Sequence, residues 1–344
     1  MRSARIALAL DARALVLPET GEIAVLSPQA GDDLSALPKD RVRVIQGFWP
    51  DHDAFARAGY AMAITVGGPY AAAVVCLPRA KAEARAMIAA AAAAVVPGGP
   101  VIIDGQKTDG VDGLLRECRA RGAVSDPVNK AHGKLFWFAA DPVRFADWAA
   151  PVGGLQVAGG FVTVPGVFSA DGIDPGSLAL GKALATKLGG RVADFGAGWG
   201  YLSAEILKRD GVKELHLIEA DHAALAAAQV NITDPRARFH WADVTRFKPV
   251  QKFETVVMNP PFHVGRTADP ALGAAFIRAA AAMLVPSGVL WMVANRHLPY
   301  ERVIAEAFRE VEDLPAPPGY KLTRASRPAQ PAHAGARPAG RTGA

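Results

Sequence analysis

Val192-Ala193-Asp194-Phe195-Gly196-Ala197-Gly198-Trp199-Gly200 is a short apolar run that breaks into three alternating glycines. A run of this kind reads as a buried strand, here Arg191 to Phe195. The glycines make the turn, and residues up to Lys208 suit a helix. A strand, a glycine turn and a helix form the first unit of an open α/β sheet, and such sheets bind ligands beyond the carboxyl ends of their strands. Glycines there let the backbone approach a ligand closely.

Working outward, the same alternation continues downstream. Glu214 to Glu219 is a strand and His222 to about Asn231 a helix. Arg236 to Trp241 is a strand ending near Asp243. Val256-Val257-Met258 is a strand that stops at Asn259-Pro260-Pro261-Phe262. A helix follows from about Pro270 to Leu284, then a strand from Val289 to Ala294 and a helix from Glu301 to Arg309. A last strand is expected from Tyr320 to Ser326. Upstream, Glu22–Leu26, Val42–Ile45, Ala61–Val66, Ala73–Leu77, Val101–Ile103 and Lys134–Phe138 are strand candidates. Arg79 to Val95 is an alanine-rich helix, and Asp109 to Arg121 suits another. The pattern is α/β, a mostly parallel sheet with helices on both faces, occurring twice. Pro151 to Gly160 reads as the linker. The expected division is 1–150, 151–326 and a disordered basic tail at 327–344 rich in Pro, Ala, Gly and Arg.

The two halves match in their punctuation. Val74-Val75-Cys76-Leu77-Pro78 lines up with Val256-Val257-Met258-Asn259-Pro260, and each is followed by an alanine-rich helix. Val96-Pro97-Gly98-Gly99 then lines up with Val285-Pro286-Ser287-Gly288. Asn259 is replaced by Leu77, and the turn equivalent to the glycines is Ser27-Pro28-Gln29-Ala30-Gly31. The first half is therefore expected to keep the fold without the chemistry.

The Gly196, Gly198 and Gly200 spacing differs from the Gly-x-Gly-x-x-Gly that cradles a pyrophosphate. It suits S-adenosylmethionine, which has no phosphate, and disfavours an NAD oxidoreductase. Asp194 is placed to orient the turn or bind an ammonium. Glu219 ends the next strand, where a carboxylate accepts from ribose hydroxyls. Asp243 ends the one after, suited to an adenine amino group. Asn259 Oδ1 and the Pro260 carbonyl would hold the hydrogens of a planar amine and aim its lone pair at a sulfonium methyl. Phe262 would stack on the base, worth about 1–3 kcal/mol. Pro165 to Ser177, with Phe168, is placed to cover the methionine end of the cofactor, or is simply a hairpin and a helix cap at Asp174. Arg296 and His297, with His263, Arg266 and Lys321, are candidates for phosphate or base contacts, or polar residues on solvated loops. Asp221 and His222 read as solvated helix-start residues.

Composition sets the outer limits. The chain has 344 residues, 51% hydrophobic and 21% charged, enough for two sizeable cores. Cys76 and Cys118 form no disulfide framework and no metal spacing exists, so no metal is expected and the setting reads as reducing and cytoplasmic. The apolar stretches are too short for a signal h-region or a membrane span. The net charge is +5, and Lys321, Arg324, Arg327, Arg337 and Arg341, all beyond Leu314 where no acid follows, account for it. The excess charge therefore marks a tail and not a basic groove.

Asp194 to Gly200, Asn259 to His263, Pro165 to Ser177, Val293 to Tyr300 and the run around Asp104 to Gly110 together resemble the bacterial ribosomal RNA guanine-N2 methyltransferases, most closely their small-subunit branch. The resemblance spans both halves. It implies two tandem Rossmann-like class I methyltransferase domains, only the second catalytic. It also implies S-adenosylmethionine as cofactor and a guanine N2 amine of ribosomal RNA, free or in the small subunit, as target. Cofactor contacts are implied at Phe168, Asp194, Gly196, Ala197, Gly198, Gly200, Glu219, Asp243 and Asn259. Ala197 departs from the cysteine common in relatives, and the tail has no counterpart. A monomer is expected. The alternatives are a large-subunit rRNA guanine, DNA adenine-N6 or protein glutamine-N5 methyltransferase, or a non-catalytic RNA-binding or assembly factor.

Overall fold

The computed structural model describes residues 2–261, 263–264, 267–268 and 270–329. In chain order the strands are β1 Ile23–Leu26, β2 Val42–Ile45, β3 Ala61–Ala63, β4 Ala72–Cys76, β5 Pro100–Gln106, β6 Val128–Lys130, β7 Gly133–Ala139, β8 Leu155–Val157, β9 Phe161–Thr163, β10 Arg191–Phe195, β11 Glu214–Glu219, β12 Ala237–Trp241, β13 Phe253–Met258, β14 His263–Val264, β15 Thr267–Ala268, β16 Leu284–Asn295, β17 Phe308–Leu314 and β18 Tyr320–Pro328. The helices are α1 Arg2–Asp11, α2 Trp49–Arg57, α3 Lys81–Ala94, α4 Val111–Arg121, α5 Pro175–Ala183, α6 Tyr201–Leu207, α7 His222–Asn231, α8 Pro270–Met283 and α9 Glu301–Ala307.

Two seven-stranded sheets result, ordered β3-β2-β1-β4-β5-β7-β6 and β12-β11-β10-β13-β16-β18-β17. In both, five parallel strands are followed by two antiparallel ones. The strand order repeats position for position, which bears out the doubled α/β architecture read from the punctuation. The central strands are apolar almost throughout because helices cover both faces. Every residue of β4 is buried, as are Val192 to Phe195 of β10 and Thr255 to Met258 of β13.

Three expectations change at the edges. The helix expected through Arg309 stops at Ala307, and Phe308–Leu314 is an edge strand. Its sequence Phe-Arg-Glu-Val-Glu-Asp-Leu carries no apolar stripe, and charged residues are what protects an edge strand from wrong pairing. The last strand runs to Pro328, and Ala329 N donates to the Ala307 carbonyl, so 327–329 are not tail. Arg324 and Arg327 on this strand pair with Glu312 and Glu310, and Lys321 with Glu301. Three of the five charges assigned to a tail therefore belong to the sheet.

α1 packs on one face of the first sheet, with Ile6 and Ala9 in a cluster with Val25, Val74 and Ile102. Arg5 is 1% exposed and grips the fully buried Asp104 side-on through Nε and Nη2, at 2.6 and 2.9 Å. Arg5 Nη1 also donates to the Lys130 carbonyl at 3.0 Å, and Arg2 adds a second cation 3.1 Å from Asp104. Leu77, matched to Asn259 in the sequence, is 6% exposed and packs so closely on Gly105 that a Cβ there would lie 2.7 Å from it. The registers shift that match by one: Val75 pairs with Leu26 as Met258 pairs with Phe195, so buried Cys76 holds the position of Asn259. Gln46, just past β2, is buried and ties Pro28 to Phe48: its Nε2 donates to the Pro28 carbonyl and its Oε1 accepts from Phe48 N. Both cysteines are buried, and burial pushes their thiols up to about 12.

The two halves clasp through the starts of equivalent helices. Phe48 caps α2, Asp221 caps α7, and these two form an antiparallel bridge. Trp49 N donates to Ala220 O at 2.8 Å, and His222 N donates to Gly47 O at 2.9 Å. The Trp241 indole donates to both Gly47 O and Ala220 O and meets Trp49 edge-on with ring centroids 4.8 Å apart. Asp221 and His222 do start a helix, as expected, but against the other half of the chain rather than in solvent.

Candidate active site

The second sheet brings the carboxyl ends of β10, β11 and β13 together, because β10 pairs with both of its neighbours in parallel register. Gly196, Gly198 and Gly200 all adopt left-handed backbone angles, φ 69°, 55° and 96°, a region that disfavours other residues. Gly198 lines a pocket with Phe168, Asp174, Ser177, Ala197 and Asn259. A Cβ built on Gly198 meets no atom within 4 Å, so a side chain there would occupy open space at the pocket wall. Asn231 fixes the turn from behind: its Nδ2 donates to Trp199 O and Val162 O, both at 2.8 Å, and its Oδ1 accepts from Val162 N.

Two carboxylates support the turn. Glu219 is half-buried at the end of β11, and its oxygens accept from Gly198 N and Asp221 N, both at 2.8 Å. Burial raises its pKa to about 7. Asp194 is fully buried; its Oδ2 accepts from Ser203 Oγ at 2.7 Å, while Oδ1 has no hydrogen-bond partner among the described residues. Burial, with Glu219 nearby, raises it to about 7 as well. A buried oxygen without a donor, a glycine cradle and a carboxylate beside it fit the polar hydrogens of an amino acid and a ribose. These residues fit S-adenosylmethionine.

A pH dependence follows. A raised pKa means that the folded protein favours the protonated acid. That stabilisation is present below the ordinary carboxylate range and is lost as pH rises through about 7. Ribose hydroxyls need the ionised Glu219 as acceptor, so cofactor affinity runs the other way. The dissociation constant is expected to weaken by up to about tenfold from pH 8 to pH 6, and Glu219→Gln to flatten that slope. Calorimetric titration across this range checks it, and an unchanged affinity in the wild-type chain would refute it.

Asn259 follows β13 directly. Its Nδ2 donates to Ser177 Oγ at 2.9 Å and to Asp174 Oδ2 at 3.1 Å. Pro260 is buried behind it. The segment ahead of α5 carries Phe168, 57% exposed at the rim, whose carbonyl accepts from the Trp199 indole at 3.1 Å. The structure thus brings together Phe168, Asp194, Gly196, Ala197, Gly198, Gly200, Glu219 and Asn259. Asp243 lies past β12 and is half-buried; its Oδ1 accepts from Thr245 N and Thr245 Oγ1. Arg296 and His297 are exposed on the turn after β16. Lys321 is occupied locally, donating to Leu298 O and pairing with Glu301. Phe262 and Arg266 lie outside the described residues, as does the His263 side chain. Sequence reasoning missed the bonds of Ser177 and Asp174 to Asn259, and the bond of Ser203 to Asp194. Only the Asp-Pro-Gly-Ser motif signalled any of them. Among the described residues no His, Cys, Asp and Glu group is placed to hold a metal, and no helix is long and apolar enough to cross a membrane.

Fold and site together define an S-adenosylmethionine-dependent methyltransferase of the α/β class. Residues 158–324 match the family model of the methyltransferase small domain. Curated relatives called ribosomal RNA small subunit methyltransferase C cover most of the chain. The one from Shewanella baltica is 30% identical over 268 residues, 74% of this chain and 75% of its own. That from Shewanella oneidensis is 31% identical over 254 residues, 70% and 73%. A solved structure of a T. thermophilus 16S rRNA N2 guanine methyltransferase, in complex with AdoMet and guanosine, superposes with TM-score 0.76 at 26% identity. The match covers 95% of this chain and 91% of that one. The chain belongs to the ribosomal RNA small subunit methyltransferase C family.

Proposed function

We infer that the protein transfers a methyl group from S-adenosylmethionine to the exocyclic N2 amine of a guanine in 16S ribosomal RNA. The observation that carries this reading is Asn259, held at the end of β13 beside the glycine turn, in a chain similar over nearly its whole length to a guanosine-bound methyltransferase. S-adenosylmethionine, when bound, supplies an electrophilic methyl on a sulfonium. The remaining task is to orient the nucleophile. A base amine is weakly nucleophilic because its lone pair is delocalised into the ring. Asn259 Oδ1 and the Pro260 carbonyl accept the amine hydrogens and turn the lone pair towards the methyl, so orientation supplies the rate. The N–C bond forms as the C–S bond breaks. The nitrogen becomes acidic in the process and loses its proton without a strong base. Gly196 and Gly198 would admit the cofactor, Glu219 would accept from its ribose hydroxyls and Asp194 from its ammonium. Phe168 flanks the pocket, and Phe262 is assigned to stacking on the guanine. Arg296 and His297, both exposed, are assigned to RNA contacts, with the whole small subunit or its free RNA as partner.

The first half, residues 1–150, is a non-catalytic copy. Buried Cys76 stands where Asn259 stands in the second half and offers no amide acceptor, Gln46 bonds the loop that would open for a cofactor, and the Arg5–Asp104 pair is buried beside it. Its clasp next to Glu219 supports the cofactor side of the working half. The catalytic unit is residues 151–326, extended by β18 to Pro328.

Mass mapping of 16S rRNA from a strain lacking the gene tests the function. One guanine is expected to lose a methyl group on N2 and to regain it on incubation with the purified protein and S-adenosylmethionine. Unchanged 16S rRNA with a modification lost from 23S rRNA, DNA or a protein glutamine would select another amine methyltransferase.

A further inference from the structure

A carboxamide has two ends of opposite chemistry, an accepting oxygen and a donating NH2. Turned one way, Asn259 accepts the hydrogens of an amine. Turned the other way, it points its own N–H groups at them and repels the substrate. The two forms have almost the same shape, so packing alone discriminates weakly between them. Asn259 therefore needs partners that tell oxygen from nitrogen.

Asp174 is such a partner, and Ser177, which can donate or accept, reinforces the orientation that Asp174 sets. An ionised carboxylate only accepts, so Asp174 Oδ2, 3.1 Å from Asn259 Nδ2, admits only the NH2 end. Ser177 Oγ takes the second hydrogen at 2.9 Å. With both hydrogens engaged on that side, the planar amide turns Oδ1 away from the pair. Asp174 is itself held rigidly. It caps α5, its Oδ2 accepting from Ser177 N at 2.7 Å, and Pro175 fixes the first turn. Gly176 lets the Tyr320 ring of β18 approach so closely that a Cβ would lie 2.6 Å from it. Each residue of Asp174-Pro175-Gly176-Ser177 thus has one job in a rigid acceptor pair aimed at Asn259, 85 and 82 positions downstream.

We propose that Asp174 and Ser177 are positioning residues that set the amide of Asn259 with its oxygen towards the target amine, and so commit the site to substrates carrying a planar NH2. The proposal rests on the reading of Asn259 as the amine acceptor.

The test uses the full chain with S-adenosylmethionine and 16S rRNA. Asp174→Ser keeps a capping oxygen but is too short to reach Asn259. Asp174→Asn keeps an oxygen that serves both bonds. Ser177→Ala keeps the cap and removes one acceptor. The expected result is a kcat about 10–100-fold lower in Asp174→Ser and about 3–10-fold lower in Ser177→Ala. Asp174→Asn is expected to stay within about threefold of wild type. Melting temperatures and cofactor dissociation constants should hardly move. A full wild-type kcat in Asp174→Ser overturns the proposal. So does a loss confined to cofactor affinity, which would make Asp174 a cofactor ligand, and so does an equal loss in Asp174→Asn and Asp174→Ser, which would make the effect one of charge. Asn259→Ala run alongside separates the two claims. If Asn259→Ala stays active, the amine-acceptor reading fails. If it is inactive while Asp174→Ser is fully active, only the positioning fails.

Discussion

Asn259→Ala is expected to lower kcat about 10²–10³-fold while leaving the cofactor dissociation constant within about threefold of wild type. The magnitude is that of removing one preorganised hydrogen-bonding group at a reacting centre. The split between rate and affinity follows from position. In the proposed site the glycine turn, Glu219 and Asp194 would hold the cofactor, and the bonds that fix them run to Gly198, Asp221 and Ser203, none of them through Asn259. Asn259 is instead bonded to Asp174 and Ser177, on the side where α5 begins. Single-turnover methylation gives the rate, and calorimetry with S-adenosylmethionine alone gives the affinity. A parallel loss of both would mean that the residue builds the pocket instead of orienting the amine.

Arg5→Met is expected to do the opposite: stability falls and chemistry survives. Arg5 and Asp104 are 1% and 0% exposed, and removing one member of a buried ion pair typically costs about 3–5 kcal/mol because the other charge stays buried. Arg2 remains 3.1 Å from Asp104, which places the expected loss at the lower end, about 3 kcal/mol. In a chain of this size that lowers the melting temperature by at least several degrees. The turnover number per folded molecule should be unchanged, since this pair lies in the first half. Thermal unfolding and active-site-normalised kinetics check both parts. A melting temperature equal to wild type would show that the pair contributes no net stability, and a fallen turnover number would place the first half in the reaction.

The elements that the sequence marks clearly are those whose signal is local. β10, β11 and α7 begin and end where the apolar runs and their punctuation place them, because a fully buried parallel strand is a continuous apolar run bounded by turns. The glycine turn and Asn259 are legible for the same reason, since unusual backbone and a Pro-Pro stop leave marks within a few residues. β17 is not legible, because an exposed edge strand has no apolar period to read. Lys321, Arg324 and Arg327 read as free tail charges because their acidic partners lie on other elements.

By itself the sequence determined that this chain is a doubled α/β sheet and that only its second copy carries the alternating-glycine turn and the Asn-Pro-Pro stop. These follow from residue type and spacing along the backbone. Only the tertiary structure decided which side chains bond Asn259 and how the two copies are joined. The bonds of Asn259 to Asp174 and Ser177 and the Gly47–Trp49 clasp beside Glu219 join residues far apart in the chain. Such contacts exist only once strand order has brought the segments together, and strand order is set by the packing of the whole core.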